Sequence, residues 1–412
     1  MIRKKSHDGV GYSVVDLHGV SHILAAAVPV SGHTTTEQTH DALGTIQDVI
    51  DNEGAAGRIV SQSVFYRDPA DHDLIRGLIR DFYGEAMPAT TFICQPPCCQ
   101  NHVSIEALGV GRVGQPFEIH RYGEKCVVAR HAGVTWYHCG PVTPRPSAAS
   151  VYDRSYSTFE RLGRMLRSKG ARFENVIRTW LYQGNIVGME EVIGEDEAPC
   201  QRQRYQELNR ARCDFYRGVT FTRQWTPPAY RGAIYPASTG IGSDNGDLVA
   251  SCIAVDGTPG AFAITPLENP QQTSAFDYGE CYGPKSPKFA RAMAVAGAEA
   301  ATIFISGTAS ITHSETQWPR DVARQTHQTL DNIAALISER NLARHSLPRM
   351  AATLEDLACV RVYIKRQEDY EAVRAVCEAR LGELPAVYAK ADVCRDDLLV
   401  EVEGMAFVRR HE

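Results

Sequence analysis

Two acids near the C-terminal end of the sequence, Glu401 and Glu403, lie in a segment that otherwise has the pattern of a buried strand, ADVCRDDLLVEVEG (391–404). Because side chains alternate along a strand, both acids are predicted on one face, and the other face is predicted to be apolar, with Leu398, Val400 and Val402. Burial disfavours the charged form of a carboxyl group and raises its pKa. A glutamic acid in such a strand could therefore hold a proton near neutral pH and act as a general acid.

Two arginines, Arg178 and Arg361, also lie in segments that are predicted to be half-buried strands. A buried guanidinium is costly unless it meets a carboxylate, which the protein or a ligand can supply. We therefore predict either that these arginines bind an anionic substrate, or that they simply pair with Glu401 or Glu403.

Composition limits the classes of function. The net charge of −6 and the pI of about 6.2 provide no basic footprint for nucleic acid. No apolar run reaches the length that spans a bilayer, and the first residues lack the apolar core of a signal peptide, so we expect a cytoplasmic protein without a membrane partner. The 12 cysteines are scattered, which favours free thiols.

The elements that must position the two acids follow a pattern that occurs three times. In each copy a strand-like run (19–32, 133–146, 301–312) precedes an amphipathic helix (35–54, 151–170, 319–341). A second strand (58–68, 175–186, 357–367) and a second helix (69–86, 201–218, 368–382) follow. Each copy closes with a strand, a loop and a strand (89–110, 232–255, 386–407). The sequence thus predicts an α+β fold of three units that close on one another, with helices outside and strands inside.

The predicted boundaries are 1–115 for the first unit, 125–257 for the second and 300–412 for the third. Residues 258–299 are predicted to be a loop-rich insertion that contributes to the site, with a short helix at SPKFARAMA (286–294).

Overlaying the three units suggests where the chemistry lies. Position 401 corresponds to Ser104 and Val249, whereas position 403 corresponds to Glu106 and Ser251. The same overlay places Arg178 on Arg361, with Gln62 in the first unit. Since only the third unit carries both acids, we predict one working site among three clefts.

The unit order, the SGTAS turn (306–310) and the final EVE resemble the Rid (YjgF) superfamily, whose fold is chorismate-mutase-like and trimeric. More specifically, LENPQQTSAFDYGECYGPKSPKFARAM (267–293), FISGTAS (304–310) and ADVCRDDLLVEVEG (391–404) resemble the chorismatases. The resemblance implies three Rid-like units fused in one chain as a pseudo-trimer. It also implies an enzyme that removes pyruvate from chorismate.

The resemblance assigns roles to particular residues. The family's catalytic glutamate falls on Glu401, and its substrate-binding tyrosine and arginine fall on Tyr282 and Arg291. The two positions that distinguish family branches by product fall on Gly307 and Cys394, a pairing that favours a hydroxybenzoate, with 3-hydroxybenzoate preferred. Leu181 departs from the family, which commonly has an asparagine in that stretch.

The implied mechanism needs no metal and no other cofactor, and the chain is expected to work as a monomer or a weak homo-oligomer. Two alternatives stay open: a Rid-like protein that only binds a small anionic metabolite, and an imine hydrolase. Within the sequence, Cys94, Cys98, Cys99 and His102 are interpreted as structural rather than as a zinc site, and Cys394 as shaping the pocket rather than as a nucleophile.

Overall fold

The computed structural model describes residues 2–17, 19–55, 58–113, 117–193 and 198–411. The first unit comprises β1 (Ile2–His7), β2 (Val10–Leu17), β3 (Val20–Ala27), α1 (Thr35–Asn52), β4 (Ile59–Tyr66), α2 (His72–Tyr83), β5 (Ala89–Cys94) and β6 (Val103–Val113).

The second unit comprises β7 (Glu118–Arg121), β8 (Cys126–His131), β9 (Val134–Val142), α3 (Val151–Ser168), β10 (Val176–Gly184), β11 (Met189–Ile193), β12 (Pro199–Gln203), α4 (Arg204–Arg217), β13 (Ala237–Ser243) and β14 (Val249–Gly257). Strands β11 and β12 form a separate two-stranded hairpin.

The third unit comprises β15 (Ala263–Leu267), β16 (Ala292–Ala296), β17 (Ala300–Ala309), β18 (Ile311–Thr312), β19 (Glu315–Thr316), α5 (Val322–Ile337), α6 (Glu339–Arg344), β20 (Leu357–Ile364), α7 (Tyr370–Leu381), β21 (Ala386–Lys390) and β22 (Val400–Arg409). Strands β18 and β19 form a second small hairpin.

The three six-stranded sheets have the same topology. Their orders are β1-β2-β3-β6-β4-β5, β7-β8-β9-β14-β10-β13 and β15-β16-β17-β22-β20-β21, and in each the last two strands of the order pair in parallel. The predicted α+β fold, with three units of one topology fused in one chain, is confirmed. The sequence pattern predicted one strand before the first helix of each unit, whereas three strands of each six-stranded sheet precede that helix.

The first helix of each unit begins where the sequence supplies a cap. Thr34 and Glu37 form a capping box at α1, Ser150 and Asp153 form one at α3, and Asp321 caps α5. These side chains satisfy backbone N–H groups that have no partner within the helix. The apolar stripe of each helix then packs on one face of its own sheet.

The other faces of the sheets pack against one another around the centre of the molecule. Equivalent aromatic residues from the three units, Phe65, Tyr182 and Tyr363, share one buried cluster there. The strands therefore lie inside and the helices outside, as predicted. Among the described residues, no helix is both long and apolar enough to cross a membrane.

The segment between the second and third units differs from its prediction. Residues 286–294 contain no helix and run in extended form into β16. Strands β15 and β16 pair with each other and with β17, so they belong to the third sheet. Burial of these residues against the sheet overrides their helical propensity. The unit boundaries given above stay a prediction.

Candidate active site

One pocket contains most of the residues that the sequence singled out. It lies between α4 and β13 of the second unit and β17 and β22 of the third, and the connection from β15 to β16 covers it. Its walls include five of the seven predicted site residues: Tyr282, Arg291, Gly307, Cys394 and Glu401. The structure thus brings together residues that are far apart in the sequence.

Strand β22 places Glu401 in this pocket. The strand lies between β17 and β20, and its alternation directs Val400 and Val402 toward the helices while Glu401 faces the other side. The prediction for Leu398 is wrong, because β22 begins only at Val400. Leu398 precedes the strand in a loop and lines the same pocket as Glu401.

Burial controls the ionisation of Glu401. Glu401 is only 5% exposed. Burial, together with the nearby charge of Glu403, raises the pKa of Glu401 from the ordinary 4.5 to about 8. The positive charges of Arg178 and Arg291 oppose this shift without cancelling it. Glu401 is therefore protonated at neutral pH.

Gly307 leaves room for this carboxyl group. A Cβ atom at position 307 would lie 2.0 Å from Glu401 Oε1 and 3.1 Å from Thr239 Cγ2. Gly307 also donates its backbone N–H to Thr239 Oγ1 at 2.9 Å. Any side chain at this position would displace the Glu401 carboxyl group.

Glu403 has the opposite ionisation. It accepts hydrogen bonds from Arg178 Nη2 (2.6 Å), Trp180 Nε1 (2.8 Å), the Thr239 hydroxyl, Arg361 Nη1 (3.2 Å) and the Tyr363 hydroxyl (3.2 Å). Burial alone would raise its pKa, but the two arginines and the hydrogen bonds outweigh burial and lower it. Glu403 is an ionised carboxylate whose charge helps to keep its neighbour Glu401 protonated.

Arg361 joins the three units. It binds Glu106 of the first unit through Nε (2.9 Å) and Nη2 (2.7 Å), the Tyr182 hydroxyl of the second (2.8 Å), and Glu403 of the third. Arg361 and Arg178 do not line the pocket, and their donors are directed at protein groups. The geometry supports the alternative that they pair with protein carboxylates: both bind Glu403, and Arg361 also binds Glu106.

The strand registers correct part of the overlay. The pairs Tyr363 with Glu401, Phe65 with Ser104 and Tyr182 with Val249 are equivalent, as predicted for position 401. The equivalence of Arg178 with Arg361 is wrong by two residues, because pairing with β6, β14 and β22 makes Arg361 equivalent to Trp180 and Ser63. A shift of two residues keeps a side chain on the same face, so the alternation pattern could not reveal it.

Arg291 is one of three arginines in the pocket wall. It is 4% exposed, and its Nη2 donates to the Tyr278 hydroxyl (2.6 Å) and to the Thr273 carbonyl (2.9 Å). Within the described part of the chain it makes no salt bridge, and its Nε has no hydrogen-bond partner. A buried guanidinium with a free donor is suited to binding a carboxylate from a ligand.

The other two arginines of the pocket wall, Arg212 and Arg395, were not predicted from the sequence. Arg212 is 1% exposed, donates to Asn209 Oδ1 (2.5 Å), and has an Nε without a partner among the described residues. It lies on α4 between Leu208 and Tyr216, at helical spacing from both. A charged residue on the apolar stripe of a helix was therefore the sequence feature that could have identified it. Arg395 follows Cys394, donates to the Ser314 carbonyl (2.8 Å) and stacks on Tyr282.

Tyr282 and Cys394 also line the pocket. The Tyr282 hydroxyl donates to Glu315 Oε1 at 2.6 Å, outside the pocket, and the rest of the Tyr282 side chain forms part of the pocket wall. Burial and the nearby Glu401 raise the pKa of Cys394 to about 12, so it is a thiol at neutral pH. This state favours a pocket-shaping role for Cys394 over a nucleophilic one.

The cysteines of the first unit lie elsewhere. Cys94 and Cys98 are buried and Cys99 is partly exposed. In the parts of the chain that the structure describes, no group of three or more His, Cys, Asp and Glu side chains could hold a metal ion.

Comparison with known proteins gives three findings. The chain is 39% identical over 280 residues to a 3-hydroxybenzoate synthase from Streptomyces hygroscopicus, a match that covers 67% of this chain and 74% of that protein. It is 40% identical over 174 residues to a chorismatase from the same organism, covering 42% of this chain and 49% of that protein. A crystal structure of a chorismatase superposes with a TM-score of 0.62 at 25% identity, covering 85% of this chain and 93% of that one. No protein-family model matches the chain.

Proposed function

Because the chain belongs to the chorismatase family, we propose that it removes pyruvate from chorismate and forms a hydroxybenzoate, with 3-hydroxybenzoate the preferred product. The observation that carries this proposal is that Glu401, protonated at neutral pH, shares the pocket with two buried arginines whose Nε donors have no partner among the described residues. A proton donor beside cationic groups suits an acid-labile dianion.

Glu401 is the general acid. Chorismate carries an enolpyruvyl ether, and protonation of its methylene carbon forms the methyl group of pyruvate and an oxocarbenium ion. If water captures this ion, the ether bond breaks and pyruvate leaves with the water oxygen, and the ring then loses its C4 hydroxyl and its C3 proton together as water. If the neighbouring C4 hydroxyl captures the ion instead, the ether bond and the ring C4–O bond both break, the C4 oxygen leaves with pyruvate, and the C3 proton of the ring passes to the C3 oxygen. In either route the O–H group that captures the ion returns a proton to Glu401. One chorismate thus gives one pyruvate and one hydroxybenzoate without net consumption of water.

The arginines of the pocket bind the two carboxylates of the substrate. Arg291 and Arg212 are buried, and each has an Nε without a partner within the described residues, so each can offer this donor and its positive charge to a carboxylate. Arg395, stacked on Tyr282 beside the loop that contains Cys394, attracts the anion. A lysine at these positions would offer only a point charge.

Arg178 and Arg361 act through Glu403 and do not touch the substrate. They keep Glu403 ionised, and its negative charge keeps Glu401 protonated. Glu106 occupies the position of Glu403 in the first unit and also binds Arg361, which supports an inherited structural role for this acid. These four residues are positioning residues.

Three residues shape the space around Glu401. Gly307 admits its carboxyl group, Cys394 supplies a neutral thiol, and the Tyr282 ring forms part of the wall. The pairing of Gly307 with Cys394 supports a hydroxybenzoate product over a dihydroxycyclohexadiene acid. The proton transfer itself needs no metal or nucleotide.

One assay tests the proposal. The purified chain is incubated with chorismate, pyruvate is followed by coupled reduction to lactate, and the ring product is separated by chromatography. Equimolar pyruvate and 3-hydroxybenzoate are expected. Chorismate binding without pyruvate would indicate a binding protein, and hydrolysis of an imine without action on chorismate would indicate an imine hydrolase.

A further inference from the structure

The connection from β15 to β16 closes the candidate pocket. Its side chains Tyr278, Tyr282, Pro287 and Phe289 form one wall. With this wall in place, Glu401 and Arg291 are only 5% and 4% exposed. Glu401 and Arg291 therefore lie behind this wall.

Most of the walls are held by regular structure. Strands β13, β17 and β22 are paired along their lengths, and α4 packs in the core of the second unit. The ends of the connection are also fixed, because Thr273 N donates to the His313 carbonyl (2.9 Å) and Ala290 N donates to the Pro236 carbonyl (3.1 Å). Opening at these places would break several backbone hydrogen bonds.

Residues 279–286 are held much more weakly. Their backbone hydrogen bonds run within the segment, from Tyr282 N to the Gly279 carbonyl and from Gly283 N to the Glu280 carbonyl. Two side-chain bonds connect the segment to α4: a long one from Gln206 Nε2 to the Tyr282 carbonyl (3.4 Å), and one from the weak donor Cys213 Sγ to the Ser286 carbonyl (3.2 Å). Segments with few bonds to the rest of the fold open locally at low cost.

One short bond stands out in this segment. The Tyr282 hydroxyl donates to Glu315 Oε1 at 2.6 Å, and Glu315 lies on β19, outside the pocket lining. The carboxylate acceptor is strong enough to raise the pKa of Tyr282 to about 12. Arg395 stacks on the same ring with its guanidinium carbon 4.2 Å from the ring centroid. Gly283, at φ +146°, and Gly279 flank the tyrosine and supply backbone freedom.

We propose that residues 279–286 are a gate over the pocket and that the hydrogen bond between Tyr282 and Glu315 is its latch. The gate deepens the proposed function, since it controls the entry of the anionic substrate to Glu401. Glu315 is thus a positioning residue: it acts on the substrate only through Tyr282.

Hydrogen exchange of the 279–286 amides tests the latch without any substrate. Glu315→Gln should raise their exchange roughly two- to fivefold, the range for an exposed interaction with one charged partner. Glu280→Gln is the matched control, since Glu280 is an exposed acid of the gate whose side chain makes no hydrogen bond or salt bridge among the described residues, and amide exchange in this variant should stay at the parent level. Adding Tyr282→Phe to Glu315→Gln should give no further increase, because both remove the same bond. Equal exchange in the parent and Glu315→Gln would overturn the gate.

Chorismate entry supplies the second readout, in a Glu401→Gln background that prevents turnover. The association rate should reach a plateau at high chorismate, set by opening of the gate, and Glu315→Gln should raise that plateau by the same factor as the exchange. A rate that rises without a plateau and is equal in both proteins would also overturn the gate. Failure of chorismate to bind would refute the proposed function, while the exchange result would still decide the latch.

Discussion

Replacement of Glu401 by glutamine should change how the stability of the protein depends on pH, even without substrate. In the folded protein the pKa of Glu401 is raised to about 8, whereas in the unfolded chain it has its ordinary value of 4.5. Between these two values the unfolded chain releases a proton that the folded protein keeps. The contribution of Glu401 to folding is therefore full below about pH 4.5 and is lost as the pH rises toward 8.

The size of the effect follows from the linkage between proton binding and folding. Each pH unit between the two pKa values costs the parent about 1.4 kcal/mol relative to a variant that cannot ionise. From about pH 5 to about pH 7.5, the free energy of unfolding of the parent should fall by about 3 kcal/mol relative to that of Glu401→Gln. Because the carboxyl group is buried, solvent screening should reduce this difference in free energy only slightly.

Urea unfolding of both proteins across this pH range measures the difference. Ionisable groups that both proteins share cancel in the comparison, and Glu280→Gln, which removes an exposed acid, should follow the parent. Parallel stability profiles for the parent and Glu401→Gln would refute the reasoning, because Glu401 would then ionise equally well in the folded and unfolded states.

Three further substitutions test the pocket. Arg291→Ala should weaken chorismate binding, measured by calorimetry in the Glu401→Gln background, by about 1.5–3 kcal/mol, the worth of hydrogen bonds to a charged group. An unchanged Kd would indicate that Arg212, and not Arg291, binds this carboxylate. Gly307→Ala should lower hydroxybenzoate formation by roughly 10²-fold, since its Cβ would lie 2.0 Å from Glu401 Oε1 and misplaced catalytic groups lose about that much. Parent-level kcat would show that the carboxyl group need not occupy that space. Glu403→Gln should destabilise the fold by about 3–5 kcal/mol in urea, because it leaves the buried Arg178 without a carboxylate partner, while Arg361 keeps only Glu106. Unchanged stability would contradict the central ion-pair network.

Most helices and strands could be predicted from the sequence, because each unit repeats the same periodic patterns. The predicted helices at 35–54, 151–170 and 368–382 correspond to α1, α3 and α7 in the structure. The predicted helix at 286–294 failed because burial against the third sheet, and not local propensity, decides its conformation.

The residues of the candidate site could be predicted only in part. Glu401 was identified because a charge on a buried strand is costly, and the structure places it in the pocket with Arg291. Arg212 was missed because its role depends on the contact between two units, which no pattern within one unit contains. The partners of Arg178 and Arg361 depend in the same way on how the units meet.

The central claim is that Glu401 delivers the proton that releases pyruvate. The most direct test compares the rate of pyruvate release from chorismate by the parent and by Glu401→Gln, with chorismate binding measured on the same preparations. Glutamine keeps the size of the side chain and a hydrogen-bond donor but cannot deliver a proton, so turnover should fall by about 10²–10⁴ while binding is retained. Release of pyruvate by Glu401→Gln at the parent rate would contradict the claim.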